Sequence, residues 1–242
     1  MIKAVTFDLG NTLLRQDNID WKKLEKAGFL NHINIFLKQD ISKPTLKEWS
    51  GKFDQIAAQY SKIAGRYNLE IPVEKIFQTL REYFNIPDAI STHTLLTTFF
   101  IPLMNARLLV DHVQDVLQHL SDSGIRCGVI SNTIVPGFLA REVLERLEIA
   151  RYFDFTLFSS DCLFSKPHPM MFDIAMARLG MKPSQTLHVG DQAEKDVVGA
   201  QSVGMKTAWI NHDRKKVSNK KIKPDYEIFS LNELPALIKK IK

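Results

Sequence analysis

The fold of this chain is decided by its first strand and the turn behind it, Ile2-Lys3-Ala4-Val5-Thr6-Phe7-Asp8-Leu9-Gly10-Asn11-Thr12-Leu13-Leu14. The largely apolar run 2–7 predicts a buried strand, because strands of parallel sheets are covered on both faces. Asp8 follows this strand directly, and the turn at 10–12 leads the chain away. Ligand sites of open parallel sheets lie just beyond the carboxyl ends of their strands, so Asp8 stands at a candidate binding edge.

Strands and helices alternate over the second half of the sequence. Such alternation is typical of βαβ units, which build a parallel sheet. We therefore expect an α/β fold with a doubly wound, Rossmann-like sheet that includes the first strand. The predicted strands lie at 127–130, 153–158, 186–189, 207–210 and 226–229, and the predicted helices at 111–120, 138–147, 170–179, 196–203 and 231–240.

Residues 16–107 carry helical periodicity and no clear strand pattern. Because this block separates the first strand from the rest of the sheet, we interpret it as an inserted all-helical domain. The expected organisation is a core of residues 1–15 and 108–242 with an insertion at 16–107. Four helices are predicted from Trp21, Leu24, Phe29, Ile33 and Leu37, from Trp49, Phe53, Ile56, Tyr60 and Ile63, from Ile76, Leu80 and Tyr83, and from the run 95–103.

The composition of the 242 residues, 45% hydrophobic and 24% charged, is that of an ordinary globular protein. No apolar run reaches membrane-spanning length, and the first strand begins too early for a signal-peptide layout, so we expect no membrane partner. The two cysteines, Cys127 and Cys162, lack metal-binding spacing. They suit a reducing compartment, which favours a cytoplasmic location.

The net charge of +5 is concentrated near the end of the sequence, where residues 214–242 hold nine Lys or Arg and three Asp or Glu. The lysine-rich stretch 214–223 could touch an anionic surface. No aromatic residues alternate with these lysines, as they do in proteins that stack single-stranded bases. A solvated loop is therefore the preferred interpretation, and no nucleic-acid partner is expected.

Three polar residues follow predicted strands of the sheet, namely Asp8, Ser131 and Asp191. The carboxyl ends of parallel strands share one edge, so two carboxylates there would repel each other. A divalent cation removes this repulsion, and Mg²⁺ suits oxygen ligands that leave room for water and a phosphate. The backbone carbonyl of Gly10 is a further hard oxygen ligand.

A fixed positive charge is expected at the same edge. Lys166 lies in the loop after the third strand of the core. Asp196 follows Asp191 by five residues and can hold the Lys166 ammonium group.

In this order the residues resemble the motifs of the haloacid dehalogenase superfamily of hydrolases. The four motifs are Asp8-Leu9-Gly10-Asn11-Thr12, Ser131-Asn132, Lys166-Pro167 and Gly190-Asp191-x4-Asp196, and the match covers the whole chain. A helical block directly after the first motif is similar to the mobile cap of one large branch of the superfamily. The resemblance therefore implies a cap domain at 16–107 above a hydrolase core.

The resemblance implies phosphoryl transfer through a covalent aspartyl intermediate. Asp8 would be the nucleophile, and Mg²⁺ would be held by Asp8, the Gly10 carbonyl and Asp191. The partner would be a small phosphorylated substrate. The remaining implied roles are phosphate binding by Ser131, Asn132 and Lys166, and support of the catalytic groups by Thr12 and Asp196.

Gly10 departs from the family pattern. Phosphatases of the family usually carry a second Asp at this position, which protonates the leaving oxygen and then activates the attacking water. General acid–base catalysis is typically worth about 10²–10⁴ in rate. Metal ligation is unaffected, because the family uses the backbone oxygen of this residue.

Three interpretations stay open. The first is a Mg²⁺-dependent phosphatase with a substituted or water-relayed acid, for which Asp17 is a candidate. The second is a metal-independent 2-haloacid dehalogenase, in which Asp8 attacks carbon and the departing halide needs no proton. That branch lacks the second Asp, but it usually carries Ser and Asn in place of Gly190-Asp191. The third is a binding or regulatory protein with weak activity. We prefer the phosphatase, because Asp191 with Asp196 points to metal and phosphate.

Other residues with chemical potential are interpreted as structural. His188 lies in a predicted buried strand, where a satisfied interior histidine is more common than a catalytic one. Trp49 and Phe99-Phe100 are expected to pack the helical block rather than to surround a ligand.

Overall fold

The computed structural model describes residues 1–17, 19–39, 41, 44–67, 69–214, 219 and 221–241. Its centre is a six-stranded sheet formed by β1 (Ala4–Phe7), β2 (Arg126–Ser131), β3 (Phe155–Phe158), β4 (Thr186–Gly190), β5 (Lys206–Ile210) and β6 (Tyr226–Ile228). The strand order is β3-β2-β1-β4-β5-β6, and all neighbouring strands are parallel. The chain therefore winds outward in both directions from β1, and the predicted α/β fold is confirmed.

Helices cover both faces of this sheet. They are α5 (Val113–Asp122), α6 (Gly137–Arg146), α7 (Ser159–Cys162), α8 (Pro169–Leu179), α9 (Asp196–Ser202) and α10 (Leu234–Lys240). Strand side chains alternate between the faces, so Val5 and Phe7 join the apolar cluster of α5, α6 and α10. Ala4 joins the smaller cluster of α8 and α9 on the opposite face.

Several element boundaries differ from the predicted ones. Helix α5 begins at Val113 rather than at 111, because His112 has a left-handed backbone with φ of 66°. Strand β3 begins at Phe155 rather than at 153, because a 3-10 turn over Ala150–Tyr152 precedes it. Residues Leu231–Glu233 form a 3-10 turn with a capping box before α10, where the sequence predicts α-helix.

Between β1 and α5 the chain forms four helices, α1 (Trp21–Lys38), α2 (Leu46–Tyr67), α3 (Val73–Tyr83) and α4 (Thr92–Ala106), which we call the helical insertion. The chain leaves the sheet and returns to it side by side. Leu14 and Leu109 form an antiparallel bridge, and the Arg15 N–H donates to the Leu108 carbonyl at 2.9 Å. These crossings lie next to the predicted boundaries 15/16 and 107/108, and the division into two domains stays a prediction.

The helical insertion has an aromatic interior centred on His32, which is fully buried. Its ring centroid lies 5.4 Å from that of Phe77, 5.8 Å from that of Trp49 and 5.9 Å from that of Phe99. The His32 Nε2 is 2.8 Å from the Leu95 carbonyl, and the Trp49 indole N–H donates to Nδ1 at 3.0 Å. His32 therefore joins α1, α2 and α4, and Trp49 and Phe99 have the packing role expected of them.

Some apolar residues used to predict these helices are exposed rather than buried. Trp21, Leu37, Ile63 and Tyr83 expose 46–59% of their surface. Trp21, Leu37 and Tyr83 lie in the first or last turn of their helices, and Ile63 lies just before the last turn of α2. Helical periodicity therefore correctly predicted the helices, but it did not predict which of their apolar side chains are buried, because burial depends on tertiary packing.

No helix among the described residues combines the length and the hydropathy needed to cross a membrane. Half of the lysine-rich stretch 214–223 lies outside the described residues, because 215–218 and 220 are not among them. At its start, the Arg214 guanidinium lies 4.1 Å from the centre of the Phe229 ring.

Candidate active site

Three carboxylates converge at the edge of the sheet where β1 and β4 end. Asp8 directly follows β1, Asp191 directly follows β4, and Asp196 begins α9. One oxygen from each lies within 4.8 Å of the others. The structure thus brings together Asp8 and Asp191, whose strand-end positions predicted a shared site, and places Asp196, the expected partner of Lys166, beside them.

Lys166 lies among these carboxylates and is buried together with Asp8 and Asp196. Its Nζ donates to Asp8 Oδ1 at 2.5 Å and to Asp196 Oδ1 at 2.7 Å. Burial alone would lower the pKa of Lys166, but the two carboxylates raise it above its ordinary value. Lys166 is therefore a fixed positive charge beside Asp8.

Asn132 holds the loop that carries Lys166. Its side-chain carbonyl accepts from the Lys166 backbone N–H at 2.7 Å, and its side-chain amide donates to the Lys166 carbonyl at 2.9 Å. Both polar groups of the Asn132 side chain are thus engaged by the Lys166 backbone. Ser131, at the end of β2, is buried beside it.

Asp196 is the most fully hydrogen-bonded carboxylate of the three. Besides Lys166, it contacts His188 Nε2 at 3.2 Å and accepts from the Gln192 backbone N–H at 2.9 Å. Burial raises its pKa, but Lys166 and His188 outweigh burial and hold the pKa of Asp196 well below its ordinary value. Gly190 permits this packing, because a Cβ there would lie 2.3 Å from the Asp196 carboxylate.

His188 supports Asp196 from within β4. Its Nδ1 is 2.9 Å from the Thr6 hydroxyl, and both residues are buried. Burial lowers the pKa of His188, so the ring is neutral and its Nε2–H donates to Asp196. The residue is a satisfied interior histidine, and it also fixes a member of the site.

Asp191 is the carboxylate with the fewest partners. Its Oδ2 accepts from the Asn11 side chain at 3.3 Å, and its backbone carbonyl accepts from the Trp209 indole at 2.8 Å. Its Oδ1 is buried and has no hydrogen-bond partner among the described residues. Burial, together with the charges of Asp8 and Asp196, raises the pKa of Asp191 to about 7.

The site has more negative than positive charge, which favours the binding of a cation. One ammonium, on Lys166, faces three carboxylates, while His188 is neutral. Burial, countered only in part by Lys166, also raises the pKa of Asp8. A surplus of negative charge with an unpaired carboxylate oxygen on Asp191 is a donor set suited to a hard divalent ion, so the residues present fit Mg²⁺.

Gly10 faces the side chain of Gln16. An ideal Cβ on Gly10 would lie 1.7 Å from Gln16 Nε2, so the carboxamide fills the space that a side chain at position 10 would enter. Gly10 itself does not have a left-handed backbone, whereas Asn11 has a φ of 53°. Thr12 is fully buried, and its hydroxyl has no partner among the described residues.

A cavity of about 560 Å³ opens over Asp8 between the sheet and the helical insertion. The insertion contributes Trp21 and Glu70 to its walls, and Arg107 at the return crossing adds a positive charge. Asp17, a candidate for the missing acid, is exposed and lines a neighbouring cavity instead, so the structure does not place it over Asp8. Gln16 and Trp21 line both cavities.

Glu70 and Ser159 connect the helical insertion to the sheet at the cavity wall. The buried Ser159 hydroxyl donates to the Glu70 carboxylate in a short hydrogen bond, and the Thr133 N–H donates to the same hydroxyl at 2.8 Å. The Glu70 N–H also donates to the Leu163 carbonyl at 2.7 Å. This side of the cavity is therefore closed by polar contacts.

Four residues of the site were not identified from the sequence: Asn11, Gln16, Glu70 and Arg107. Asn11 had a usable signal, because Gly-Asn in a turn after a strand favours a left-handed residue. The other three lie outside the strand-end motifs, and nothing in their local sequence marks them.

The haloacid dehalogenase-like hydrolase family model matches residues 7–210. The chain belongs to this family. A curated relative, glyceraldehyde 3-phosphate phosphatase of Methanocaldococcus jannaschii, is 31% identical to it, and the match covers 100% of this chain and 99% of the relative.

Solved structures show the same fold. A 2-haloacid dehalogenase from Pseudomonas syringae superposes with a TM-score of 0.76 at 24% identity, over the full length of both chains. A phosphatase of this family from Thermococcus onnurineus superposes with a TM-score of 0.65 at 24% identity, over 98% of both chains. Because the fold is common to both enzyme classes, the choice between them depends on the residues at the site.

Proposed function

We propose that this protein is a Mg²⁺-dependent phosphatase that hydrolyses a small phosphomonoester through an aspartyl-phosphate on Asp8. The Asp191 carboxylate carries the proposal, because it lies beside Asp8 and its Oδ1 is buried and unpaired within the described part of the chain. Without a cation, the negative charge of Asp191 would repel both the anionic nucleophile and the anionic substrate. Similarity to the archaeal glyceraldehyde 3-phosphate phosphatase supports the same function.

In the first step, an oxygen of Asp8 forms a bond to phosphorus, and the bond between phosphorus and the leaving oxygen breaks. Lys166 orients the attacking carboxylate through its 2.5 Å contact and remains held by Asp196 during the step. When bound between Asp8, the Gly10 carbonyl and Asp191, Mg²⁺ would supply the positive charge that brings two anions together. In the second step, water attacks phosphorus, the Asp8 carboxylate is released, and the water proton passes to the phosphate.

Phosphate recognition in this proposal uses Lys166, the Ser131 hydroxyl and the Asn132 backbone N–H. These groups stabilise the charge that spreads over the phosphoryl oxygens in a loose transition state. Arg107 and Lys195 add positive charge to the cavity wall, which favours an anionic substrate. A cavity of about 560 Å³ holds a molecule of the size of a triose phosphate.

The dehalogenase alternative has one observation in its favour, namely Gly10, since a departing halide needs no proton. It predicts halide release that resists chelation. The third interpretation, a binding protein with weak activity, predicts Mg²⁺ and phosphate binding without turnover.

A single experiment separates these functions. Protein stripped of metal would be assayed, with and without Mg²⁺, for phosphate release from glyceraldehyde 3-phosphate and p-nitrophenyl phosphate, and for chloride release from 2-chloropropionate. We expect phosphate release only with Mg²⁺, and no chloride release. Asp191→Ala should lose both activity and Mg²⁺ binding by calorimetry, whereas Asp173→Ala, an exposed carboxylate on α8, should lose neither. Chloride release in the presence of chelator would overturn the proposal.

A further inference from the structure

The carboxamide of Gln16 occupies a defined place in the cavity wall. It lies against the Gly10 backbone, where a Cβ would be 1.7 Å from its Nε2 and 2.9 Å from its Cδ. Gln16, Gly10 and Asp8 line the same cavity. The backbone of Gln16 is held on both sides, because its N–H donates to Asn11 Oδ1 at 3.1 Å and its carbonyl accepts from the Ile19 N–H at 3.1 Å.

The carboxylates that line this cavity are all engaged by other groups. Among the described lining residues, only Asp8, Glu70 and Asp196 carry a carboxylate. Asp8 and Asp196 share Lys166, and Glu70 accepts from Ser159. Among the described residues, the cavity wall therefore holds no unengaged carboxylic acid. The polar side chain that lies beside Gly10 is the amide of Gln16.

We propose that Gln16 positions the leaving oxygen and the attacking water through its carboxamide, in the phosphatase reaction proposed above, on which this inference rests. Its Nε2–H donates to the leaving oxygen, which departs with the electron pair of the P–O bond and takes its proton from water. Its Oε1 then accepts from the water that attacks the phosphorylated Asp8, and the proton of that water passes to the released phosphate.

An amide can hold these oxygens in place but cannot transfer a proton to them. The rate of the first step must therefore depend strongly on how readily the leaving group departs without protonation. It follows that the enzyme acts best on esters and anhydrides of phosphoric acid whose leaving groups are stable anions. Alkyl phosphates are expected to be slower substrates.

The test is a series of aryl phosphates of rising leaving-group basicity, from 2,4-dinitrophenyl to phenyl phosphate, assayed with Mg²⁺. In the wild-type protein, kcat/KM should fall steeply along the series. Gln16→Ala should lower kcat/KM for phenyl phosphate by about 10- to 100-fold, the loss expected for a hydrogen bond to a charged group, and lower it much less for the dinitrophenyl ester. Gln118→Ala, an exposed glutamine on α5, is the matched control and should change neither.

A second variant separates positioning from a structural role. Gln16→Glu donates a hydrogen bond only while its carboxyl is protonated, so kcat/KM for phenyl phosphate should rise above that of Gln16→Ala at acidic pH. The inference fails if Gln16→Ala lowers the rate equally for every leaving group, or if Gln16→Glu matches Gln16→Ala at all pH values. A wild-type protein that hydrolyses none of the esters contradicts the proposed function itself, which is a different outcome.

Discussion

The Ser159 hydroxyl donates to the Glu70 carboxylate, and this contact joins the loop after α2 to the end of β3. Ser159 is fully buried and also accepts from the Thr133 N–H, so its hydroxyl is hydrogen-bonded both to the insertion and to the loop after β2. Glu70 and Thr133 both line the cavity over Asp8. The contact thus couples the position of the helical insertion to the shape of the cavity.

Ser159→Ala should loosen the insertion and weaken substrate binding. The change leaves the Thr133 N–H and the Glu70 carboxylate without this partner, which should cost about 1 kcal/mol because both residues are half-buried. We expect a lower free energy of unfolding in urea and a higher KM. Ser160→Ala, which removes a 2.9 Å hydrogen bond to the Val135 carbonyl but no contact with Glu70, should lower stability without the same change in KM. An unchanged KM in Ser159→Ala would show that the contact does not shape the cavity.

Asp8→Asn should abolish turnover while the protein stays folded. The amide is not a nucleophile towards phosphorus, and Lys166 keeps Asp196 as its partner. Phosphate release and the thermal midpoint would be measured together. Retention of more than about 1% of the wild-type rate would exclude Asp8 as the nucleophile, because losing a covalent nucleophile removes most of the catalysis.

Arg107→Met should raise KM while it leaves the fold intact or more stable. Burial lowers the pKa of Arg107, and its Nη1 is buried without a hydrogen-bond partner among the described residues. A buried charge without a partner lowers the free energy of unfolding unless a ligand pairs with it. Replacing it with an apolar side chain of similar size should therefore raise the free energy of unfolding by about 1 kcal/mol. The cation–π contact with Trp21, 5.3 Å from the ring centre, offsets part of this gain.

The control for Arg107 is Arg178→Met, because Arg178 donates to the Thr156 carbonyl at 2.9 Å and does not line the cavity. Its loss should lower the free energy of unfolding in urea and leave KM unchanged. If Arg107→Met destabilised the protein without changing KM, the Arg107 side chain would be structural and would have no part in substrate binding.

The stability of the protein should fall as the pH is lowered from about 6.5 to about 4, because burial lowers the pKa of His32 from 6.5 to about 4. In that window the unfolded chain binds a proton that the folded protein does not. When His32 is fully protonated in the unfolded chain and neutral in the folded protein, the free energy of unfolding is lower by about 3 kcal/mol. The geometry supports the sign, since protonation would place a second N–H against the Trp49 indole N–H.

The pH effect can be isolated with His32→Gln, whose amide can donate to the Leu95 carbonyl and accept from Trp49 without titrating. The free energy of unfolding in urea would be compared at pH 7.5 and at pH 5. The variant should lose less stability than the wild type between these values. Equal losses would assign the acid sensitivity to other groups.

The central part of the site could be predicted from the sequence, because it depends on strand ends. Asp8 and Asp191 end adjacent parallel strands, and any parallel sheet brings such residues to one edge. The contact of Lys166 with Asp196 also agrees with the expected pairing. The four helices of the insertion could also be predicted, because helical periodicity is a property of the local sequence and does not depend on tertiary packing.

The residues that were missed depend on how the insertion lies on the sheet. Glu70 and Arg107 reach the cavity only through that arrangement, which no local period encodes. Asp17 is a candidate acid because it lies near the entrance to the cap, but the chain after the bridge at Leu14 brings Gln16 against Gly10, and Asp17 lines the neighbouring cavity. The tertiary path of these few residues therefore determines that Gln16, and not Asp17, is the polar side chain beside Gly10 in the cavity with Asp8.

Gly10→Asp tests whether turnover is limited by protonation of the leaving oxygen. The new Cβ would lie 1.7 Å from Gln16 Nε2, so the single variant must displace that side chain before its carboxyl can act. Backbone strain is not expected, because Gly10 does not have a left-handed φ. We therefore expect little gain from Gly10→Asp alone.

The double variant Gly10→Asp with Gln16→Ala removes the obstruction and supplies a proton donor. Its kcat/KM should exceed that of Gln16→Ala most for phenyl and alkyl phosphates and least for 2,4-dinitrophenyl phosphate. The upper limit of the gain is about 10²–10⁴, the usual contribution of general acid–base catalysis. Mg²⁺ affinity, measured by calorimetry, should stay unchanged, because the proposed ligand at position 10 is the backbone carbonyl. A folded double variant that binds Mg²⁺ but shows no gain dependent on the leaving group would mean that another group already supplies the proton.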